Sequence, residues 1–86
     1  MQVRVFLSGR HYDMADFLPR ELALPEGCLL SQALTTLLER LPIDRRPSET
    51  CLVAVSGTHM GTLTHYRNTT LRSGDELLLL SPVAGG

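Results

Sequence analysis

One stretch of the chain, residues 30–41, has the period of an amphipathic helix, and the rest of the chain has to fold around it. Its apolar side chains recur at spacings of three and four residues, while polar side chains mostly take the opposite face. The apolar positions are Leu30, Ala33, Leu34, Leu37, Leu38 and Leu41. Pro42 follows and ends the helix, because proline has no backbone N–H and its ring clashes with the preceding turn. A single helix of this kind predicts that strands from the other segments cover its apolar face.

The segments before the helix alternate with the two-residue period of strands. In residues 2–7 every second side chain is apolar and points to one side, and Phe6 lies on the opposite face. Residues 20–24 resume the alternation, and Pro19 at their start predicts an edge position in the sheet. The two strands are expected to pair as a hairpin.

The segments after the helix are also strand-like. Leu52-Val53-Ala54-Val55 is almost wholly apolar and predicts a central strand covered on both faces. A short strand is expected around residues 60–63. Ser73-Gly74-Asp75 predicts a turn into a final strand over residues 76–80, and Asp75 is expected to fix that turn through a side-chain hydrogen bond to the backbone.

This order of elements predicts an α+β fold of the β-grasp, ubiquitin-like type: a mixed sheet of four to five strands packed on one main helix. The final strand is expected beside the first, near the centre of the sheet. Rules for chain connections leave other strand orders open. We expect residues 1–80 to form this domain and residues 81–86 to form a flexible carboxyl-terminal tail.

Charge and cysteine content exclude several classes of function. Eight arginines against nine acidic residues give a net charge of -1, which offers no electrostatic case for a nucleic acid or a membrane as partner. Cys28 and Cys51 lack the spacing of a redox motif or a zinc site. Cys51 is expected in the core and Cys28 partly exposed in a turn. No stretch reaches membrane-spanning length, so the cytoplasm is the expected location.

The three histidines, His11, His59 and His65, invite a metal or acid–base interpretation. The first is far from the others in sequence, and the other two lie in a polar segment with no carboxylate close by. We therefore expect surface histidines, with no metal and no bound cofactor.

The tail Pro82-Val83-Ala84-Gly85-Gly86 ends in two glycines. Glycine has no Cβ, so the backbone of a partner can approach it closely. A terminal carboxylate is ionised at neutral pH and resists nucleophilic attack, so acyl chemistry at Gly86 needs prior activation, for example by adenylation.

Three segments together resemble the MoaD/ThiS family of ubiquitin-like sulfur carriers. They are Ala54-Val55-Ser56-Gly57, Thr70-Leu71-Arg72-Ser73-Gly74-Asp75-Glu76-Leu77 and Leu80-Ser81-Pro82-Val83-Ala84-Gly85-Gly86. The long tail with Pro82-Val83 is most similar to the small subunit of molybdopterin synthase. Two departures are Ser81, where that subunit usually has a proline, and Leu79-Leu80, where it often has aromatic residues.

The resemblance implies that an adenylating enzyme of the ubiquitin-activating (E1-like) type uses ATP to convert the Gly86 carboxylate to an acyl adenylate. A persulfide then displaces AMP, leaving a thiocarboxylate, which donates sulfur to a synthase. The first candidate for this acceptor is the large subunit of molybdopterin synthase. The chain would then be a carrier and cosubstrate without catalytic activity of its own. Thiamine, cysteine or another metabolite is an alternative destination for the sulfur. A ubiquitin-like modifier conjugated through Gly86 and a non-covalent binding module are two rival functions for the same tail.

A docking surface for such partners is predicted next to the tail. Successive side chains of a strand point to opposite faces, so two of the final leucines, taken as Leu78 and Leu80, emerge on the face that the helix does not cover. Phe6 on the neighbouring strand joins them, unless flanking loops cover this apolar area. In the tail, Val83 and Ala84 are the expected anchors inside a partner's channel. Pro82 is expected to direct the chain outward, and Gly85 is expected to contact the partner as well.

Overall fold

The computed structural model describes residues 1–8, 21–41, 43 and 47–80 of the chain. The elements in this part are β1 (Gln2–Ser8), β2 (Glu21–Ala23), α1 (Leu30–Glu39), β3 (Leu52–Val55), β4 (Thr58–Thr62) and β5 (Glu76–Leu80). Each predicted element is found, and the bounds of β5 agree with the prediction.

The strands form one mixed sheet in the order β2-β1-β5-β3-β4. The final strand β5 lies at the centre, parallel to β1 on one side and antiparallel to β3 on the other. β1 and β2 pair antiparallel, as the predicted hairpin requires. β2 is at the edge, in agreement with the expectation from Pro19, which itself lies outside the described residues. The β-grasp, ubiquitin-like prediction is therefore confirmed, with five strands and one helix in the described residues.

One face of the sheet and one face of the helix share the hydrophobic core. The alternation predicted for β1 and β5 holds, since Val3, Leu77 and Leu79 are fully buried while their neighbours in sequence are not. On the helix the buried positions are Leu30, Ala33, Leu34 and Leu37. Each large aliphatic side chain that is removed from water contributes about 1.5–3 kcal/mol to folding, so these two faces together hold the helix on the sheet.

The helix ends slightly earlier than the apolar period predicts. Its last turn tightens, because the Arg40 N–H donates to the Leu37 carbonyl at 3.2 Å and the Leu41 N–H donates to the Leu38 carbonyl at 3.0 Å. These are three-residue bonds in place of the four-residue bonds of an α-helix. Leu41 is still buried, so its place in the apolar pattern is correct although it follows the helix. Pro42 lies outside the described residues.

Two expectations about burial are wrong in part. β3 has the predicted position inside the sheet, between β5 and β4, but Leu52 and Ala54 are only half-buried, so one of its faces is not fully covered. Cys28, expected to be partly exposed, is buried. The reason is a long-range contact: the Leu71 N–H donates to the Cys28 carbonyl at 2.8 Å, and fully buried Leu71 packs in the same core.

Cys51 is a core residue, as predicted, and burial raises the pKa of its thiol to about 11. In the unfolded chain the thiol ionises near its ordinary pKa of 9.0, so between these two values the unfolded state releases a proton that the folded state keeps. The stability contributed by the neutral thiol is present below about pH 9 and is lost as pH rises toward 11. We expect the free energy of unfolding in urea to fall more between about pH 8 and pH 10.5 for the wild type than for Cys51→Ala. An equal fall in both would contradict this account.

Candidate functional site

Three central strands present apolar side chains on the face opposite the helix. In register, Phe6 of β1 pairs with Leu78 of β5, and Leu78 pairs with Ala54 of β3. Side chains in one register row of a sheet point to the same side. Because Leu77 and Leu79 point into the core, this row points away from it.

A second row lies next to the first, nearer the end of β5. Leu80 pairs there with Leu52 of β3. The two rows form an outer-face patch, which consists of Phe6, Leu52, Ala54, Leu78 and Leu80.

The outer-face patch is partly open to solvent. Phe6 is 43% exposed and Leu80 is 36% exposed, and the other three members are half-buried. Adjacent apolar side chains left open on a sheet face are a common feature of surfaces that bind other proteins. Binding at Phe6, Leu78 and Leu80 stays a prediction, and the structure places these three side by side.

Polar groups border the patch on two sides. Glu21, Arg4 and Glu76 form a row across β2, β1 and β5, one step before the Phe6 row. On the side of β4, exposed His59 pairs in register with Ala54. An apolar centre with a charged border is the usual anatomy of a protein-binding surface.

The tail starts at the end of the middle strand, at the border of this surface. β5 is the middle strand of the sheet, and its last residue, Leu80, belongs to the patch. Residues 81–86 follow directly in the chain. The predicted tail contacts Pro82, Val83, Ala84, Gly85 and Gly86 lie outside the described residues, so their roles stay predictions.

The turn before β5 is tied to two other segments through Asp75. Its carboxylate accepts hydrogen bonds from the Arg72 N–H and from the Ser56 hydroxyl, both at 2.8 Å. Its backbone carbonyl accepts the Arg4 N–H at 2.9 Å. The predicted bond from Asp75 to its own turn is therefore confirmed, and the bond to the β3–β4 turn is an addition that sequence spacing does not indicate. Asp75 fixes the point at which the central strand begins.

Replacing Asp75 with Ala is expected to lower the free energy of unfolding by about 1.5–3 kcal/mol, since hydrogen bonds to charged groups are of this size and two donors lose their acceptor. Urea denaturation measures the change. Glu49→Ala is the matched control, because it removes an exposed carboxylate on a different turn and is expected to change stability by no more than about 0.5 kcal/mol. Equal stability of the two variants would contradict the role given to Asp75.

The histidines do not form a site in the part of the chain that the structure describes. His59 and His65 are both exposed, as expected, and His11 lies outside that part. Within residues 1–8, 21–41, 43 and 47–80, no three His, Cys, Asp or Glu side chains come together as metal ligands would. None of the helices found there combines the length and apolar character needed to cross a bilayer.

Sequence reasoning misses two members of the patch, Leu52 and Ala54. Both belong to the strand predicted to be covered on both faces, and its run of apolar residues hides the alternation. The leucine run of β5 holds a usable signal, because one of its faces is already expected to be open. A strand that pairs with β5 shares this open face, so half of the side chains of β3 are expected there too.

Comparison with known proteins agrees with this architecture. The crystal structure of SAMP1 from Haloferax volcanii superposes over 100% of both chains with a TM-score of 0.69 and 19% sequence identity, which shows a shared fold. A search of curated proteins finds no match. A family model, that of the ThiS family, matches residues 5–86, nearly the whole chain including both final glycines. The chain therefore belongs to the ThiS family of ubiquitin-like sulfur carriers.

Proposed function

We propose that this protein carries sulfur as a thiocarboxylate on Gly86 and donates it in biosynthesis. The observation that carries the proposal is the family match through Gly86, together with a fold that starts the tail at the end of the central strand, at the border of a half-open apolar surface. Family membership implies an E1-like activating enzyme and an acceptor protein as partners.

The chemistry takes place on the carboxylate of Gly86. ATP adenylates it in the active site of the activating enzyme and releases pyrophosphate. A persulfide sulfur then attacks the acyl carbon and AMP leaves. Cleavage of the resulting S–S bond by a second thiol, which is oxidised to a disulfide, leaves the thiocarboxylate. The chain supplies the acyl group and its delivery, and the partners supply ATP, the persulfide and the thiol.

The lengths in the chain fit this role. Six residues beyond Leu80, when extended, reach on the order of 20 Å, enough to enter a buried active site. Ordering a tail costs roughly 1–2 kcal/mol per residue, which a partner has to offset with contacts. The outer-face patch, at the base of the tail, is the surface we assign to those contacts, with Val83 and Ala84 inside the channel.

The molybdopterin pathway is the destination we favour for the sulfur. It is supported by the likeness of Pro82-Val83 and the long tail to the small subunit of molybdopterin synthase, whose large subunit would then be the acceptor. Carriers for thiamine, cysteine and other metabolites share much of the pattern. Conjugation to lysines of other proteins is the second candidate, since the same activated Gly86 acyl group reacts with amines as well as with sulfur.

The test is the intact mass of the protein after expression together with an activating enzyme encoded by the same genome. We expect a fraction with one oxygen replaced by sulfur, and tandem spectra that place the change at Gly86. After digestion with trypsin, a remnant of residues 73–86, which follow Arg72, on lysines of other proteins, with no sulfur on the chain, would replace the carrier proposal with the modifier. Finding neither modification would contradict both functions.

Replacing Phe6 with Ser is expected to weaken recognition without changing the chemistry. Loss of one central apolar contact at an interface costs on the order of tenfold in affinity or more, so the KM of the activating enzyme for this protein should rise about tenfold with kcat unchanged. ATP–pyrophosphate exchange measures both constants.

Ile43→Ser is the matched control for that variant. Ile43 is 83% exposed and lies outside the sheet, so the substitution removes an open apolar side chain away from the patch. An equal rise in KM for both variants would show that the outer-face patch is not the recognition surface.

A further inference from the structure

A cleft of about 520 Å³ lies between the β3–β4 turn and the segment that leads into β5. Two arginines, Arg67 and Arg72, line it together with the hydroxyl-bearing residues Thr58, Thr69 and Thr70. Guanidinium and hydroxyl groups are the usual donors to phosphate and carboxylate oxygens. The chain as a whole has a net charge of -1, so the presence of two arginines in one cleft is a local feature.

Three other polar side chains of the cleft, those of Ser56, Asn68 and Asp75, are already engaged within the protein. Both carboxylate oxygens of Asp75 accept neutral donors, the Ser56 hydroxyl and the Arg72 backbone N–H. The Asn68 side chain accepts the Ser31 N–H at 3.0 Å and donates to the Ser31 hydroxyl at 3.0 Å. These bonds fix the walls of the cleft. Arg67 and Arg72 are its two cationic groups, against one carboxylate, that of Asp75, whose oxygens already accept these donors.

The backbone between the arginines is held in place on the core side. The Arg67 N–H donates to the Met60 carbonyl at 2.9 Å, and the Leu30 N–H donates to the Thr69 carbonyl at 2.8 Å. Cα positions that are fixed in this way limit the arrangements that the two guanidinium groups can take. The protein therefore loses less conformational freedom when a ligand binds both arginines than it would if they were on a mobile loop.

We propose that this cleft binds an oxyanion, a phosphate or a carboxylate group, between Arg67 and Arg72. It lies at the end of the sheet where β5 begins, whereas the tail leaves from the other end. The five residues of β5 span about 16 Å at roughly 3.3 Å per residue, so an oxyanion in the cleft and a partner on the tail can be bound together. The site is independent of the sulfur chemistry proposed for Gly86.

The test is a titration of ¹⁵N-labelled protein followed by amide chemical shifts, with inorganic phosphate in one series and a tetraglutamate peptide in the other. We expect saturable shifts centred on residues 67–72 with at least one probe. Saturation with phosphate alone identifies a free or nucleotide phosphate as the ligand, and saturation with the peptide alone identifies acidic side chains of a protein. Absence of saturable shifts with both probes would overturn the proposal.

Three variants make the test specific. Arg67→Gln with Arg72→Gln is expected to weaken binding at least tenfold, since each arginine contributes a charge-assisted hydrogen bond, while the Lys pair at the same positions retains part of the affinity. Arg40→Gln removes one exposed arginine away from the cleft and is expected to bind as the wild type does. Unchanged binding in the double Gln variant would show that the two arginines do not hold the ligand. An equal loss in Arg40→Gln would show that the shifts come from general charge attraction. Both arginines of the cleft are exposed, so circular dichroism is expected to show an intact fold in every variant.

Discussion

Deletion of Gly86 is expected to abolish sulfur loading, with a fall on the order of 100-fold or more in the rate of adenylation. Under the proposed function the reacting carboxylate has to reach one point in the activating enzyme. Removing one residue draws it back by up to about 3.8 Å, and a displacement of about 1 Å already costs on the order of 100-fold. ATP–pyrophosphate exchange and intact mass measure the loss. The shortened chain still ends in glycine, so the variant tests reach alone.

Gly86→Ala tests bulk at the same position, since it keeps the length and adds a Cβ beside the acyl carbon. We expect a loss of similar size. Gly57→Ala is the control for both variants, because it changes a glycine in the β3–β4 turn with nothing within 4 Å of the added methyl group. Undiminished loading of the Gly86 deletion would contradict the requirement for a carboxylate at position 86. A deletion that leaves every activity of the protein unchanged would favour a non-covalent binding module.

Gly61→Ala is expected to be the most destabilising of the single changes considered, by roughly 2–5 kcal/mol, from backbone strain and overpacking together. Gly61 has φ of 134°, a conformation that residues with a Cβ rarely adopt. An added Cβ would overlap the His65 carbonyl oxygen and lie 2.8 Å from the Tyr66 Cα. Both are backbone atoms, so neither can move aside as the end of a flexible side chain can.

The control for Gly61 is again Gly57→Ala, which also has a positive φ, 86°, but open space around it. It is expected to cost about 1–2 kcal/mol from conformation alone. Urea denaturation of the two variants separates steric overlap from backbone strain. Equal losses would mean that the segment at His65 and Tyr66 moves away from β4 at little cost.

The predictable part of this fold is the part that depends on local periodicity. The alternation in β1 and the apolar stripe of α1 follow from which side chains avoid water, so their buried residues can be identified one by one. Connection rules do not fix the strand order, and the position of β5 beside β1 is predicted by pattern matching to the β-grasp fold. The family resemblance rests mainly on the segments around Gly74-Asp75-Glu76 and the tail, where the family match also extends.

The errors lie where distant segments meet. Burial of Cys28 depends on Leu71, which is distant in sequence and unrelated in pattern. The side chain of Asn68 accepts the Ser31 N–H in the first turn of α1, although the two are 37 residues apart. The cleft with Arg67 and Arg72 is of the same kind, because its walls come from two turns and the segment between them. Contacts between such distant segments leave no local pattern in the sequence, so they are visible only in the folded structure.

Under the proposed function the end of the chain is drawn into a partner, and the central position of β5 then has a mechanical consequence. A partner that pulls on the tail along the strand axis loads the ladders of β5 with β1 and with β3 together, over five residue pairs on one side and four on the other. The backbone hydrogen bonds of both ladders are then loaded together in shear. An edge strand pulled away from its sheet would instead lose its hydrogen bonds one after another. The sheet as a whole therefore resists traction on the carboxyl terminus, and the body stays folded.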